Sequence, residues 1–261
     1  MRQKYGSPVF KTVLISLGFL IIFFIATPLV SMVATTSPDI LFKTLFDKEV
    51  TSSIFLTLTA SFISTLCAFF SGIPLAYVLA RYDFPGKKIV EGIVDIPVII
   101  PHSAAGIALL TVWGRRSLFG NITGVSIMGT EAAICIGMFF VSVSFFVNSV
   151  KNGFKLVDYR YEKIALTLGA TPFKAFFTIA LPLVKKSIIS GSVMMWARGI
   201  SEFGAVIVLA YHPMVAPILI YDRYESFGLK YAKPVAVLLI IICLLIFIST
   251  RIFEDFKRNK S

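Results

Sequence analysis

The stretch "YEKIALTLGATPFKAFFTIALP", residues 161–182, interrupts a chain that is otherwise rich in apolar runs. It carries one Glu and two Lys, then a Gly-Ala-Thr-Pro break, and only afterwards do apolar residues return. Charged residues are costly inside lipid, where every backbone polar group also needs a partner within the protein. The stretch therefore predicts a structured polar hairpin outside the membrane, between two spans.

The composition of the whole chain is that of a membrane protein. Of its 261 residues 57% are hydrophobic, and the mean hydropathy is +0.86. The net charge of +11 could indicate nucleic-acid binding, but the Lys and Arg residues stand mainly at the ends of the apolar runs. That placement is typical of membrane-flanking charge and predicts membrane lipid, not nucleic acid, as the surroundings.

Six apolar runs predict six spans, since a helix needs roughly 20 apolar residues to cross a bilayer. Because backbone polar groups cannot stay unpaired in lipid, each span has to be a helix, and the predicted fold class is an all-α polytopic membrane protein. The first run is too long for the apolar part of a signal peptide, so we expect it to be retained. The predicted spans are about 12–33, 54–80, 89–113, 131–150, 179–210 and 234–252.

The distribution of Lys and Arg predicts the orientation, because cytoplasmic loops carry the excess of these residues. The richer side holds Arg2, Lys4, Lys11, Arg81, Lys87, Lys88, Lys151, Lys155, Arg160, Lys163, Lys174, Arg251, Lys257, Arg258 and Lys260. The other side holds Lys43, Lys48, Arg115, Arg116, Arg223 and Lys230. We therefore predict a multi-pass protein of the cytoplasmic membrane, with both termini and the 151–178 segment in the cytoplasm.

The first half of the quoted stretch predicts a short helix with one apolar face. Apolar residues recur at the helical spacing i, i+3, i+4, i+7, at Tyr161, Ile164, Ala165 and Leu168. Such a face outside the membrane can pack back on the end of the bundle, or it can dock in a groove of a soluble partner. The residue pattern alone leaves both alternatives open.

The ends of this helix are predicted from its flanking residues. Asp158 is a candidate N-cap, and Glu162 lies near the positive end of the helix dipole. Gly169 is well placed as a left-handed stop. Thr171 and Pro172 then have the residue types of the N-cap and first position of a second short helix. The local design is helix, glycine hinge, helix.

The same stretch resembles the signature of ABC-transporter importer permeases, which is Glu-Ala-Ala, then Gly, then Ile-x-Leu-Pro. The matching positions are Glu162, Ala165, Gly169, Ile179, Leu181 and Pro182. Lys163 departs from the pattern where the family has Ala, but the spacing is intact. The six-span layout also resembles that of type I importers.

The resemblance implies that the hairpin forms coupling helices that sit in a cleft of a cytoplasmic ATPase. It implies a type I ABC importer permease fold, with residues 1–50 as an N-terminal helix and extracytoplasmic loop. Residues 51–254 would be the transmembrane domain, with coupling helices at about 158–178. The residues that it assigns to ATPase coupling are Tyr161, Glu162, Ile164, Ala165, Leu168, Gly169, Ala170, Thr171 and Pro172.

Two further stretches are similar to permeases of the molybdate/tungstate group and, to a lesser degree, of the sulfate/thiosulfate group. They are "DIPVIIPHSAAGIALLTVWGRRSLFG", residues 95–120, and the run that begins "WARGISEFGA" at Trp196. The resemblance implies a homodimer, two copies of an ABC ATPase subunit and an extracytoplasmic oxyanion-binding protein. No phosphate-binding G-x-x-x-x-G-K-[ST] motif occurs in this chain, so we expect ATP and Mg on the ATPase and no cofactor here.

Candidate pathway residues lie in the third and fifth predicted spans. Pro97 and nearby Ser103 are residues found where a helix lines protein or water, although close helix packing explains them equally. His102 is either a core histidine or a substrate contact. Arg198 and Glu202 lie one turn apart on one helix face beside Ser201. We favour a structural salt bridge, and the alternative is that Arg198 tunes the field along an anion path.

Other classes of function explain the sequence less well. An ATP-independent anion transporter would need coupling-ion sites within the spans, where few carboxylates occur, and it leaves the coupling signature unexplained. A membrane enzyme is disfavoured because no catalytic constellation and no metal-ligand spacing appears. The three cysteines, Cys67, Cys135 and Cys243, stand in apolar runs and are expected to be buried.

Overall fold

A computed structural model of the protein describes residues 8–115, 117–124 and 126–258, and within these ranges the regular structure is helical. The helices are α1 (Pro8–Ala34), α2 (Pro38–Leu45), α3 (Lys48–Arg81), α4 (Lys87–Ile99), α5 (His102–Trp113), α6 (Leu118–Thr123), α7 (Glu131–Leu156), α8 (Arg160–Thr167), α9 (Pro172–Ala175), α10 (Leu181–Leu183), α11 (Lys185–Ile200), α12 (Gly204–Leu209), α13 (Ala216–Phe227) and α14 (Leu229–Arg258). A π-helical segment, Phe176–Ala180, connects α9 to α10.

Within the described ranges, four helices are long and apolar enough to cross a membrane, namely α1, α3, α7 and α14. Two bent helix pairs, α4 with α5 and α9–α10 with α11, bring the number to six when each pair counts as one span. The predicted all-α, polytopic fold class is confirmed.

The helices are grouped in two compact units, of which the first comprises residues 1–50 and 220–261. No side chain described in α1 is buried, as expected of a helix that faces lipid. The guanidinium of Arg223 binds the carboxylates of Asp47 at 2.7 Å and Glu49 at 2.8 Å, and α14 packs on α2. An ion cluster and helix packing thus hold this unit together.

The second unit, residues 51–219, is built around α7. Helix α7 packs on α11, α4, α12 and α5, and its core side chains include the fully buried Ile134, Met138, Phe146 and Phe154. The helices α7 and α11 approach closely because small residues face each other. A Cβ on Gly191 would stand 2.9 Å from Cβ of Ser149, and Ser149 donates a hydrogen bond to the carbonyl of Ser187 at 3.0 Å.

The prediction of one continuous helix over 89–113 is wrong. Helix α4 ends at Ile99, helix α5 begins at His102, and their axes differ by 116°. Ile100 is extended, with ψ of 147°, because the ring of Pro101 disfavours helical geometry at the residue before it. The chain therefore turns sharply where a straight span was expected.

The prediction of one continuous helix over 179–210 is wrong as well. The chain bends by 68° between the Pro172–Leu183 segment and α11, beside Pro182, which lacks the N–H that a continuous helix needs. Helix α11 ends at Ile200, and α12 is a separate helix of six residues. The break at 201–203 falls within the predicted pathway motif.

The structure tests the expected burial of the cysteines, but not the domain division or the orientation of the spans. Cys67 is exposed on α3, so its expected burial is wrong, since an apolar run in a membrane helix can face lipid. The division into 1–50 and 51–254 and the orientation of the spans stay predictions. Of the charges that set the orientation, Arg2, Lys4, Arg116 and Lys260 lie outside the described residues.

Candidate functional site

The hairpin has the predicted local design. Helix α8 is followed by Gly169, whose φ of +87° is left-handed, and α9 begins with Pro172 at its first position. Thr171 is the N-cap of α9, and its hydroxyl accepts a hydrogen bond from the N–H of Lys174 at 3.2 Å. Nothing crowds a Cβ at Gly169, so the positive φ alone favours glycine there.

The predicted N-cap of α8 is wrong by one residue. Tyr159 is the N-cap, and the carboxylate of Asp158 accepts a hydrogen bond from the N–H of Arg160 at 2.9 Å. Aspartate often bonds the backbone two residues ahead and so starts a turn without being the cap itself.

The large side chains on the apolar face of α8 are left exposed by the residues that the structure describes. The side chains of Tyr161, Ile164 and Leu168 are exposed, Leu168 by 82%, while Ala165 and Ala170 are half-buried. An exposed patch of large apolar residues next to the end of a span is typical of a surface for a partner.

Glu162 points the other way and is buried. Its carboxylate lies 2.7 Å from the guanidinium of Arg81 and accepts a hydrogen bond from the hydroxyl of Tyr77 at 2.6 Å. Arg81 also donates to the carbonyl of Val157 at 2.9 Å. We call Arg81, Glu162 and Tyr77 the hairpin cluster. It ties α8 to the end of α3. The sequence does not predict this contact, because Arg81 is equally well explained as a charge that flanks a span.

Four of the predicted pathway residues meet at the break between α11 and α12. Arg198 Nη2 lies 3.0 Å from Oε2 of Glu202 and 2.7 Å from the ring nitrogens of His102. His102 Nδ1 is 3.2 Å from the same carboxylate oxygen, and Arg198 Nη1 donates to the hydroxyl of Ser201 at 3.3 Å. We call Arg198, His102, Glu202 and Ser201 the span cluster. The spacing predicted the pair, but not that α5 would deliver the histidine to it.

The other two predicted pathway residues stand outside the span cluster. Pro97 is buried in α4, on the far side of the bend from α5, and Ser103 follows His102 with an exposed side chain. His102 and Ser103 face α12 at a close approach. A Cβ on Gly204 would stand 2.7 Å from Cβ of His102.

A third polar region joins α4 to α7 and was not predicted. Lys151 binds Glu91 at 3.2 Å, and Asn148 donates to the carboxylate of Asp95 at 2.6 Å. Asp95 and Asn148 also line a cavity of about 450 Å³ between α4, α7 and α11, together with Ser144, Ser149, Asn152 and Met194. The signal that could have found it is the helical spacing of Glu91 and Asp95 opposite that of Asn148 and Lys151.

The hairpin and the span cluster are built from apolar surface and ion pairs. Within the described ranges no three His, Cys, Asp or Glu side chains are grouped to hold a metal ion. The hairpin offers an exposed apolar surface tied to a span, and the span cluster offers a cation with a buried counter-charge.

Comparison with known proteins gives close relatives and a shared fold. A molybdate/tungstate transport system permease protein of Thermococcus kodakarensis is 40% identical over 253 residues, which cover 96% of this chain and 97% of the relative. A probable sulfate transport system permease protein of Chlorokybus atmophyticus is 27% identical, with 90% and 86% covered. The crystal structure of a bacterial ABC transporter for the acidic polysaccharide alginate has the same fold, at a TM-score of 0.75, 20% identity and 96% coverage of both chains.

The family comparison covers most of the chain. Residues 72–259 match the family described as the inner membrane component of binding-protein-dependent transport systems, and the match includes both the hairpin and the span cluster. The chain therefore belongs to this family and is a permease subunit of a transport system.

Proposed function

We propose that this chain is the permease subunit of an ATP-driven importer that carries molybdate or tungstate across the cytoplasmic membrane. The observation that carries the proposal is the hairpin, whose apolar face is exposed while its glutamate is buried against a span. A surface built this way can receive a partner's movement and pass it to the membrane helices. The identity of about 40% to molybdate/tungstate permeases supports the substrate.

The partner that drives transport is a cytoplasmic ATPase, which holds ATP and Mg. Its groove takes Tyr161, Ile164 and Leu168, as a hydrophobic groove takes the apolar face of an amphipathic helix. The chain works as a homodimer, with two ATPase subunits and with α5 and α11 beside the two-fold axis. Closing of the ATPase dimer moves the hairpins together and opens the bundle to the other side.

An extracytoplasmic oxyanion-binding protein delivers the substrate, in keeping with the description of the family. Molybdate and tungstate are favoured over sulfate because the sulfate relative is less similar, at 27% identity against 40%. Both termini and the hairpin then lie in the cytoplasm, as the distribution of Lys and Arg predicts.

The test is reconstitution of the chain in liposomes with its ATPase and its binding protein. We expect molybdate uptake that requires ATP and is little reduced by an equal concentration of sulfate. Uptake driven by an ion gradient without the ATPase would contradict the proposal, as would sulfate uptake that exceeds molybdate uptake.

A matched pair of variants tests the docking surface. Ile164→Asp places a charge on the exposed apolar face of α8 and is expected to abolish binding of the ATPase and uptake together. Ile122→Asp makes the same change at an exposed isoleucine of α6. Helix α6 precedes the spanning helix α7 and α8 follows it, so the two substitutions lie at opposite ends of that span. The control is expected to bind the ATPase normally, and equal loss in both variants would contradict docking at α8.

A further inference from the structure

The span cluster is closed on one side and open on the other. The side chain of Glu202 is 1% exposed, whereas those of Arg198 and His102 are 21% and 37% exposed. Ser201 is exposed beside them. A salt bridge that only joined helices would need neither the histidine nor the open side. The cation of Arg198 is therefore reachable from the open side of a buried counter-charge, and the hydroxyl of Ser201 beside it donates a hydrogen bond to the carbonyl of Arg198 at 3.0 Å.

Contacts with the start of α12 position Glu202 and His102. Oε1 of Glu202 accepts a hydrogen bond from the N–H of Ala205 at 2.8 Å, which holds the carboxylate at the start of α12. His102 stands against Gly204, where no Cβ would fit without a shift. The guanidinium of Arg198 has five N–H donors, and its contacts among the described residues occupy Nη1 and Nη2. It keeps donors for an incoming acceptor.

The charges set how firmly such an acceptor is held. An uncompensated Arg in a low-dielectric span would attract a dianion strongly, and a substrate that binds too firmly cannot leave. The carboxylate of Glu202, 3.0 Å from the guanidinium, cancels the charge of Arg198 while leaving its donors in place. The cluster can offer hydrogen bonds to an oxyanion without a net positive charge.

We propose that Arg198, Ser201 and His102 form a transit site for a tetrahedral oxyanion, and that the buried Glu202 weakens its hold so that the ion can pass. This inference rests on the proposed function. It assigns opposite roles to the two members of one ion pair, because Arg198 attracts the substrate and Glu202 limits the attraction. A structural salt bridge would give both members the same role.

The experiment measures equilibrium binding of molybdate to the permease–ATPase complex by dialysis, without the binding protein. Arg198→Gln is expected to lower the affinity and Glu202→Gln to raise it, each by about tenfold or more, the size of a hydrogen bond to a charged group. Glu202→Gln keeps the oxygen that accepts from Ala205. Uptake is expected to fall in both variants. Affinities that fall together, or that do not change, overturn the transit site.

Wild-type uptake separates this result from failure of the proposed function. A wild-type transporter that imports no molybdate with ATP and binding protein contradicts the proposed function itself. Wild-type import together with unchanged affinity in both variants overturns the transit site alone.

A second measurement leaves the ion pair intact, in case a glutamine variant does not fold. A single cysteine in place of Ser201, in a chain whose own three cysteines are replaced by serine, is treated with anionic and cationic thiol reagents of equal size. We expect faster reaction with the anionic reagent and protection by molybdate. Met194→Cys, exposed two turns earlier on α11, is the control and should show neither. Equal rates at residue 201 without protection overturn the proposal.

Discussion

Two buried glutamates, each paired with an arginine, stand in different parts of this molecule and in different surroundings. In the hairpin cluster both Arg81 and Glu162 are nearly enclosed, with 7% and 3% of their side chains exposed. In the span cluster Glu202 is enclosed, but Arg198 is 21% exposed. The Arg–Glu pair is therefore shielded from solvent in the hairpin cluster and partly exposed in the span cluster.

Burial of both partners, more than the pairing itself, distinguishes an ion pair that only holds helices together from one that can contact a ligand. The hairpin cluster adds a tyrosine hydroxyl and a backbone carbonyl, and these contacts join α8 to α3. The span cluster leaves N–H donors facing outward. Trp196, two residues before Arg198, donates a hydrogen bond to the carbonyl of Leu58 in α3. At a rise of 1.5 Å per residue, Leu58 lies about 35 Å along α3 from Arg81. One helix thus contacts both regions.

Breaking each pair in the same way should give the largest difference in stability. Arg81→Met leaves Glu162 buried without its cation, which typically costs about 3–5 kcal/mol. Arg198→Met should cost less, because His102 still contacts the carboxylate and the cluster is partly open to solvent. Thermal unfolding of the purified chain measures both. Equal melting temperatures in the two variants would contradict the contrast between closed and open clusters.

Removing both charges of the span cluster distinguishes its contribution to protein stability from its contribution to molybdate uptake. Arg198→Met with Glu202→Leu removes the buried charge together with its partner and is expected to restore most of the stability lost in Arg198→Met, since deleting both charges is often nearly neutral. Uptake should stay low because the donors for the oxyanion are gone. Melting and molybdate uptake are measured on the single and double variants. Full recovery of uptake in the double variant would show a purely structural pair.

The glycine of the hairpin offers a change of intermediate size. Gly169→Val forces a β-branched residue to a φ of +87°, at a cost of about 1–2 kcal/mol that falls on the hinge of the hairpin. The variant should insert normally but couple poorly. Substrate-stimulated ATP hydrolysis of the reconstituted transporter is the readout. Gly169→Asn is the matched control, because asparagine tolerates left-handed geometry, and it should retain most of the activity.

The most exposed of the three arginine clusters should have the smallest effect. Burial alone would raise the pKa of Asp47, but the hydrogen bond and charge of Arg223, together with hydrogen bonds from the backbone N–H groups of Glu49 and Val50, outweigh it, and the pKa is lowered. A lowered pKa stabilises the fold above the pKa of the unfolded chain, and this contribution is lost as pH falls through the folded pKa. Asp47→Asn should therefore lower the melting temperature slightly at pH 7, by an amount typical of exposed pairs, below about 1 kcal/mol. The difference should vanish in acid, and a difference that grows in acid would contradict the pairing.

The sequence predicted those features that depend on local pattern. The all-α fold, the left-handed Gly169 and the Thr171 cap all follow from residue types at short spacing. The pairing of Arg198 with Glu202 follows in the same way, because residues four apart share a helix face. Hydropathy did not locate the bends at Ile100 and near Val184, because it is averaged over a whole apolar run. Such an average does not register that a proline within the run ends a helix.

Features made by distant residues could not be predicted from the same patterns. Tyr77 and Arg81 meet Glu162 only because the chain returns to the end of α3 after α7. His102 reaches Glu202 because α5 folds back at the 116° bend, which was predicted as a straight span. Tyr77 and Glu162 are 85 positions apart in the chain, and His102 and Arg198 are 96 apart. A helical or strand periodicity cannot predict contacts over such separations.

In the proposed mechanism, movement at the hairpin reaches the span cluster, and the rate of thiol labelling at Ser201→Cys measures this connection. The measurement uses the assembled transporter with its native cysteines replaced, since Cys67 is exposed. We expect several-fold different labelling rates in the nucleotide-free and ATP-bound states, and no difference once Gly169→Val is added. Equal labelling in both nucleotide states of the otherwise unaltered transporter would contradict it.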